Sequence, residues 1–261
     1  GCSVGGKSIE YTYGKSKQLC TFANEGEEGK VGAKYTCKVN NKDTFTFYIT
    51  NLLDIAGKTI SQSDTETKVE YYDLILDSNI CEDGSLDTND ECSSVWVSET
   101  DYNSYAVGKG VGYNQNGCID KGPITAMKYL YNSTKSWTNV PTISLSYEDR
   151  HTDGLGRPGS VGVPYGGIIS NGTTTEIRMN DGTVTATFEN MKARLPRFFD
   201  TIYNSDGTNI WTFETCGQGG PCSSQNYALF YAWGAQSDYS SIKSSYKIRP
   251  VITVLPSDLG L

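Results

Sequence analysis

The chain has 261 residues, with 22 Lys and Arg against 30 Asp and Glu for a net charge of −8, and 37% hydrophobic and 11% aromatic residues. That length is one large domain or two small ones, and an aromatic share that includes 18 Tyr suffices for a core, which a disordered acidic chain would lack. A pI near 4.8 provides no basic footprint for nucleic acid or an anionic membrane surface, and no run approaches the about 18 consecutive apolar residues of a membrane span.

Residues 1–33 read as a polar, Gly-rich N-terminal arm pinned by Cys2 and Cys20, and residues 34–261 as the main domain. The start, Gly1-Cys2-Ser3, has neither the charged nor the apolar region of a secretion signal, consistent with a leader or anchor trimmed away. Alternation in KYTCKVN and TFTFYIT, separated by the turn residues Asn40-Asn41-Lys42-Asp43, predicts a β-hairpin over 34–50. EYYDLILDSNI (70–80) is a further strand, and Ser94–Val97 a short one. Asp120 and Pro123 before Ile124, Met127, Leu130 and Tyr131 predict a helix over Pro123–Thr134 that packs on the sheet.

From 138 to 182, Gly, Asn, Asp and Pro predict long loops with small hairpins, with Asn180-Asp181-Gly182 as one turn. Thr183–Phe188 alternates as a strand. Pro196 before Phe199, Ile202 and Tyr203 predicts a second short helix ended by Asn204-Ser205-Asp206-Gly207. Aromatic segments follow at 211–213 and 227–233, with Phe230 and Trp233 read as core, and the chain closes on a buried strand within 246–254.

Eight cysteines with no CxxC, and one histidine, leave too few ligands for a Cys/His zinc site and point to disulfides in an extracellular or cell-surface protein. Cys81 with Cys92 and Cys216 with Cys222 are read as local bridges; Cys2, Cys20, Cys37 and Cys118 leave three pairings open. The acidic loop Glu82–Glu91 lacks EF-hand spacing, so no metal and no cofactor is expected. His151 has carboxylate neighbours but no nucleophile motif to serve, so no catalytic residue is assigned. The sequons at Asn132 and Asn171 mark polar surface segments.

Tyrosines interleaved with Ser, Asn and Gln between Cys222 and Arg249 match the composition of paratopes, where Tyr supplies wide contact at low entropic cost. The segment Gln236–Ser245, with Ile242 its one aliphatic residue, reads either as exposed binding surface or as plain loop. The candidate ligand-binding residues are Tyr227, Tyr231, Gln236, Asp238, Tyr239, Lys243 and Tyr246.

The order of Gly122-Pro123-Ile124-Thr125-Ala126-Met127, Ala193-Arg194-Leu195-Pro196, a Trp-containing segment and Ile248-Arg249-Pro250-Val251-Ile252 resembles the C-type-lectin fold. More narrowly it resembles the branch shared by formylglycine-generating-enzyme-like proteins and the variable proteins of diversity-generating retroelements. Tyr35-Thr36-Cys37 and Asn79-Ile80-Cys81 extend the likeness to secreted or pilin-like surface proteins of gut Firmicutes. The resemblance implies an α+β, C-type-lectin-like domain with mainly antiparallel sheets, two short helices and long disulfide-stapled loops. It also implies a ligand-binding face, diversified from about Gln225 to Tyr246, that meets a protein or glycan on another cell or host surface. The EPN, QPD and WND signatures of calcium-dependent lectins are absent, and the spacing of Cys216 and Cys222 suits a loop staple better than an oxidase cysteine pair, so catalysis is not carried over. The expected function is therefore adhesion or ligand binding, with a pilin-like assembly subunit and a formylglycine-generating-type oxidase as alternatives.

Overall fold

The structure is a computed structural model that describes residues 18–104, 112–114, 118–148, 165–197, 200, 207–215, 227–232 and 236–261, with the backbone alone at 148, 165, 227, 229–232 and 236–238. The fold is α+β with antiparallel sheets and short helices. In chain order its first strands are β1 (Cys20–Phe22), β2 (Lys34–Lys38), β3 (Thr44–Leu53), β4 (Tyr71–Leu76) and β5 (Ser94–Val95). Helices α1 (Glu99–Ser104) and α2 (Ile124–Thr134) follow. Then come β6 (Tyr147–Glu148), β7 (Tyr165–Ser170), β8 (Thr174–Met179) and β9 (Val184–Glu189). The last strands are β10 (Ile210–Thr215), β11 (Tyr227–Ala232), β12 (Gln236–Ser241), β13 (Ser245–Tyr246) and β14 (Val251–Val254).

A five-stranded sheet in the order β1-β2-β3-β4-β14 forms the centre, beside a four-stranded sheet β6-β7-β8-β9, a three-stranded sheet β10-β11-β12 and the pair β5-β13. The β2–β3 hairpin forms because alternating apolar residues flank a turn in which Asn40 accepts hydrogen bonds from the backbone of Lys42 and Asp43. Residues from the arm join the same sheet: Cys20 lies opposite Cys37 in the β1–β2 register, and the two are bridged. The β8–β9 turn runs through Gly182 at a φ of 85°, a conformation that favours glycine. Helix α2 buries Ile124, Met127 and Leu130 as its spacing requires, and the Ser133 and Thr134 hydroxyls donate to the carbonyls of Tyr129 and Leu130. The core holds Trp96, Trp137 and Trp211, each almost fully buried. Among the described residues no helix is long and apolar enough to cross a membrane.

Two expectations need correction. The second described α-helix is α1, whose polar sequence ETDYNS carries no apolar period to announce it. The stretch expected to begin a helix at Pro196 is not helical in its described part, residues 193–197 and Asp200. Arg194 instead exchanges backbone hydrogen bonds with Val251, and the Arg197 amide donates to the Asp200 carboxylate, an i, i+3 contact that mimics helical spacing. Phe199, Ile202, Tyr203 and Trp233 lie outside the described residues, as does the Phe230 side chain.

The Arg194 side chain then enters a buried ionic cluster. Its guanidinium donates to Asp73 at 2.7 Å and to Asp200 at 2.7 and 3.1 Å. Arg197 stands 3.7 Å from both carboxylates, so two cations face two anions and the cluster is neutral. Asn51 and Thr253, each opposite Asp73 across the sheet, donate to Asp200 and Asp73 respectively. Tyr147 lies beneath both guanidinium groups, its ring centroid 5.0 and 4.9 Å from their central carbons. Burial by itself would raise the Asp200 pKa, but Arg194 and Arg197 outweigh it and hold the carboxyl below its ordinary 3.8.

Removing Arg194 would strand two buried carboxylates, so Arg194→Met is expected to cost about 3–5 kcal/mol by urea denaturation. Because the folded Asp200 pKa is depressed, its stabilisation is complete above the ordinary carboxyl value and is lost as the pH falls through the folded value. The wild-type urea midpoint should therefore drop below about pH 4, and Arg194→Met should lose part of that dependence.

Candidate functional site

Six of the seven candidate ligand-binding residues fall on β11, β12 and β13, and Lys243 on the turn between β12 and β13. In the β10–β11–β12 register, Trp211 faces Phe230, and Ala228 faces Ser240. Trp211 and Ala228 are fully buried, so the face that carries even-numbered positions of β11 and β12 is applied to the core. Positions 227, 231 and 239 therefore share the opposite face, whereas 236 and 238 register with the core-applied face. The register brings the three tyrosine positions together and separates them from Gln236 and Asp238. The segment expected to be a loop or free surface is strand through residue 241, and Ile242 is fully buried at its end.

Tyr239 is half-buried, and Lys243 is exposed, with its ammonium 5.1 Å from the Tyr113 ring centroid and donating to Asn114. Tyr246 is tied to the scaffold: its ring packs 4.7 Å from that of Trp211, and its hydroxyl donates to Ser240 at 2.9 Å.

The loop closed by Cys81 and Cys92 flanks this end of the sheet. Asp87 and Asp90 both pair with Lys247, at 2.9 and 2.7 Å. Burial alone would lower Lys247 and raise Asp87, yet their mutual contact reverses both, so the ammonium is held above its ordinary value and the carboxyl below. Cys81, Asp87 and Cys92 converge like a ligand set, but the two sulfurs are bonded to each other and present no thiolate to a metal.

Between this loop, α1 and α2 opens a cleft of about 380 Å³ bordered by Asp101, Thr125, Lys128, Tyr129 and Ser245. Asp101 is fixed there by Lys128 and by the Thr125 hydroxyl, each at 2.7 Å. Burial pushes the neighbouring Tyr129 phenol up to about 12.

Of the remaining cysteines, Cys118 is buried, and burial followed by the nearby Asp120 pushes its thiol up to about 11, well away from the range of a reactive thiolate. Cys2, Cys216, Cys222 and His151 lie outside the described residues. Asn171 sits in an exposed turn, accepting from the amides of Thr173 and Thr174, whereas Asn132 lies in α2 beside buried Ser133 and Thr134 and donates to Glu82.

Sequence reasoning missed Asp73, Asp200 and Asn51 as members of a polar cluster. The available signal was Asp73, a lone acid within the otherwise apolar run YYDLIL. No family model, curated protein or solved structure matches the chain.

These contacts separate scaffold from surface. Tyr246→Ala should lower stability by about 2 kcal/mol, because it removes ring packing on a buried Trp. Lys243→Ala should stay within about 0.5 kcal/mol of wild type, as is usual for an exposed side chain. Thermal unfolding of the two variants side by side checks both.

Proposed function

We propose that the chain is a non-enzymatic, extracellular ligand-binding or adhesive protein built on a C-type-lectin-like scaffold, and that its ligand is a protein or glycan on another cell or host surface. The observation that carries this reading is the register of the C-terminal sheet. One face is applied to the core through Trp211 and Ala228; positions 227, 231 and 239, all tyrosine, lie on the other, which is buried at β10, where Ile210 pairs with position 231, and half-buried at Tyr239. A strand pair that carries tyrosines at positions of one face offers wide contact at low entropic cost, which suits recognition by contact complementarity. The half-exposed Cys81–Cys92 bridge supports placement in an oxidising compartment. The motif order from Gly122 to Ile252 supports the fold-level likeness, and with it a binding face diversified between Gln225 and Tyr246.

An array of host-surface proteins and glycans, probed with the purified chain, identifies the ligand. Alanine at Tyr239, Tyr227 or Tyr231 is then expected to weaken binding by about 2 kcal/mol, roughly thirtyfold, as at an interface hot spot, with Gln236→Ala and Asp238→Ala nearer to neutral. Equal losses at all five positions, or no loss at the tyrosines, would remove the assignment. Sequences of the same gene in sibling isolates provide an independent check: differences should concentrate in 225–246, at codon positions occupied by adenine in the template.

A further inference from the structure

We infer that the Cys81–Cys92 bridge is a redox-sensitive clasp that holds residues 242–249 in place, and through them the end of the binding face; the consequence for binding rests on the function proposed above. The segment 79–97 grips 242–249 along its length. At one end the Ile80 amide donates to the Ile248 carbonyl at 3.1 Å, and Asn79 accepts from the Arg249 guanidinium at 2.8 and 3.0 Å. At the other end Ser94 and Val95 pair with Tyr246 and Ser245, and the Trp96 amide donates to the Ile242 carbonyl at 3.1 Å. Between the two ends, Asp87 and Asp90 hold the Lys247 ammonium. Cys81 follows the first grip directly and Cys92 precedes the second, so the covalent bond fixes the distance between two contacts made to one short stretch of chain.

The consequences of holding that stretch reach the sheet. Lys247 exchanges backbone hydrogen bonds with Asn209 and Trp211, and the Trp211 indole donates to the Ser94 carbonyl at 2.8 Å. Tyr246 stacks on the same Trp211 and hydrogen-bonds Ser240 of β12. Slack in 79–97 is thereby passed to β10 and β12, the two strands that flank β11.

The two described bridges differ in access. Cys20 and Cys37 are 1% and 0% exposed, whereas Cys81 and Cys92 are only partly buried in a surface loop. A dithiol reductant therefore reaches the second bridge first. One of its thiolates attacks a bridge sulfur to form a mixed disulfide and expels the other cysteine as a thiolate; its second thiolate then attacks the reductant sulfur of the mixed disulfide, closing the ring and expelling the remaining cysteine thiolate. The reductant leaves as a cyclic disulfide, having supplied two electrons, and its two protons end on the thiols of Cys81 and Cys92.

The test is graded reduction of the native protein with dithiothreitol, alkylation and peptide mapping, with amide hydrogen exchange followed on the same samples. Alkylation of Cys81 and Cys92 should precede that of Cys20 and Cys37, and exchange across 242–249 should accelerate roughly tenfold or more while β14 stays protected. Simultaneous opening of both bridges, or unchanged exchange in 242–249 after selective opening, would overturn the clasp. Lys247→Met with the bridge intact removes the central grip without touching a cysteine, and should raise exchange in the same segment. An unchanged profile would likewise count against the proposal. Binding to the array-identified ligand is measured on the same reduced samples. Selective opening with a loosened 242–249 and unaltered affinity would leave the clasp standing and overturn the binding-face assignment.

Discussion

The guanidinium of Arg194 is shared between two carboxylates that the fold brings from distant parts of the chain, and the central sheet is organised around that contact. Asp73 sits in the middle of β4 with Asn51 on one side and Thr253 on the other, so a polar row crosses three strands. Such a row in a buried position is tolerable only when every charge meets its opposite, and the second pair, Asp200 with Arg197, completes the neutral set. The backbone of Arg194 simultaneously pairs with Val251, so the side chain and main chain of a single residue fix β14 to β4 and to Leu195 and Asp200. The presence of such a cluster adds little net stability, whereas removal of one partner is costly because it leaves a buried charge uncompensated.

From this anchor the C-terminal sheet takes its position. Val251 lies in a small apolar cluster with Tyr48, Ile75 and Ile210, and Ile210 begins β10. Trp211, next along β10, turns to the opposite side and packs on Tyr246. The placement of the tyrosine-bearing strands thus descends step by step from the buried charges, with the disulfide loop bracing the far side.

Local chemistry made much of the fold readable in advance. The hairpin around Asn40, the turn at Asn180-Asp181-Gly182 and helix α2 are each specified by residues within a few positions of one another, and the bridge between Cys81 and Cys92 spans a short loop. The pairings that build the centre are not local: Cys20 with Cys37 is one choice among several until β1 is placed beside β2, and no spacing in the sequence pairs Val251 with Arg194. The motif around Arg194 and Pro196 misleads because a proline ahead of apolar residues at helical spacing fits a helix start as well as the non-helical backbone observed at 193–197, and only the partner carboxylates distinguish them. At the candidate site the tyrosine enrichment was legible, but composition has no parity. Separating 227, 231 and 239 from 236 and 238 requires the β11–β12 register.

The insertion of β14 beside β4 sets the order in which this protein can acquire its structure. Thr253 and Asp73 are 180 residues apart, so the hydrogen bond between them closes one of the longest loops the chain can form. Hairpins such as β2–β3 and β8–β9 form from adjacent sequence and need no such closure. The buried carboxylate on β4 is fully satisfied only once both Arg194 and Thr253 have reached it, so completing the central sheet needs long closures and is slower than forming the hairpins. Until that moment β4 presents an acidic residue at the centre of an open edge, and a charge in that position discourages the premature strand pairing to which an unfinished sheet is otherwise prone.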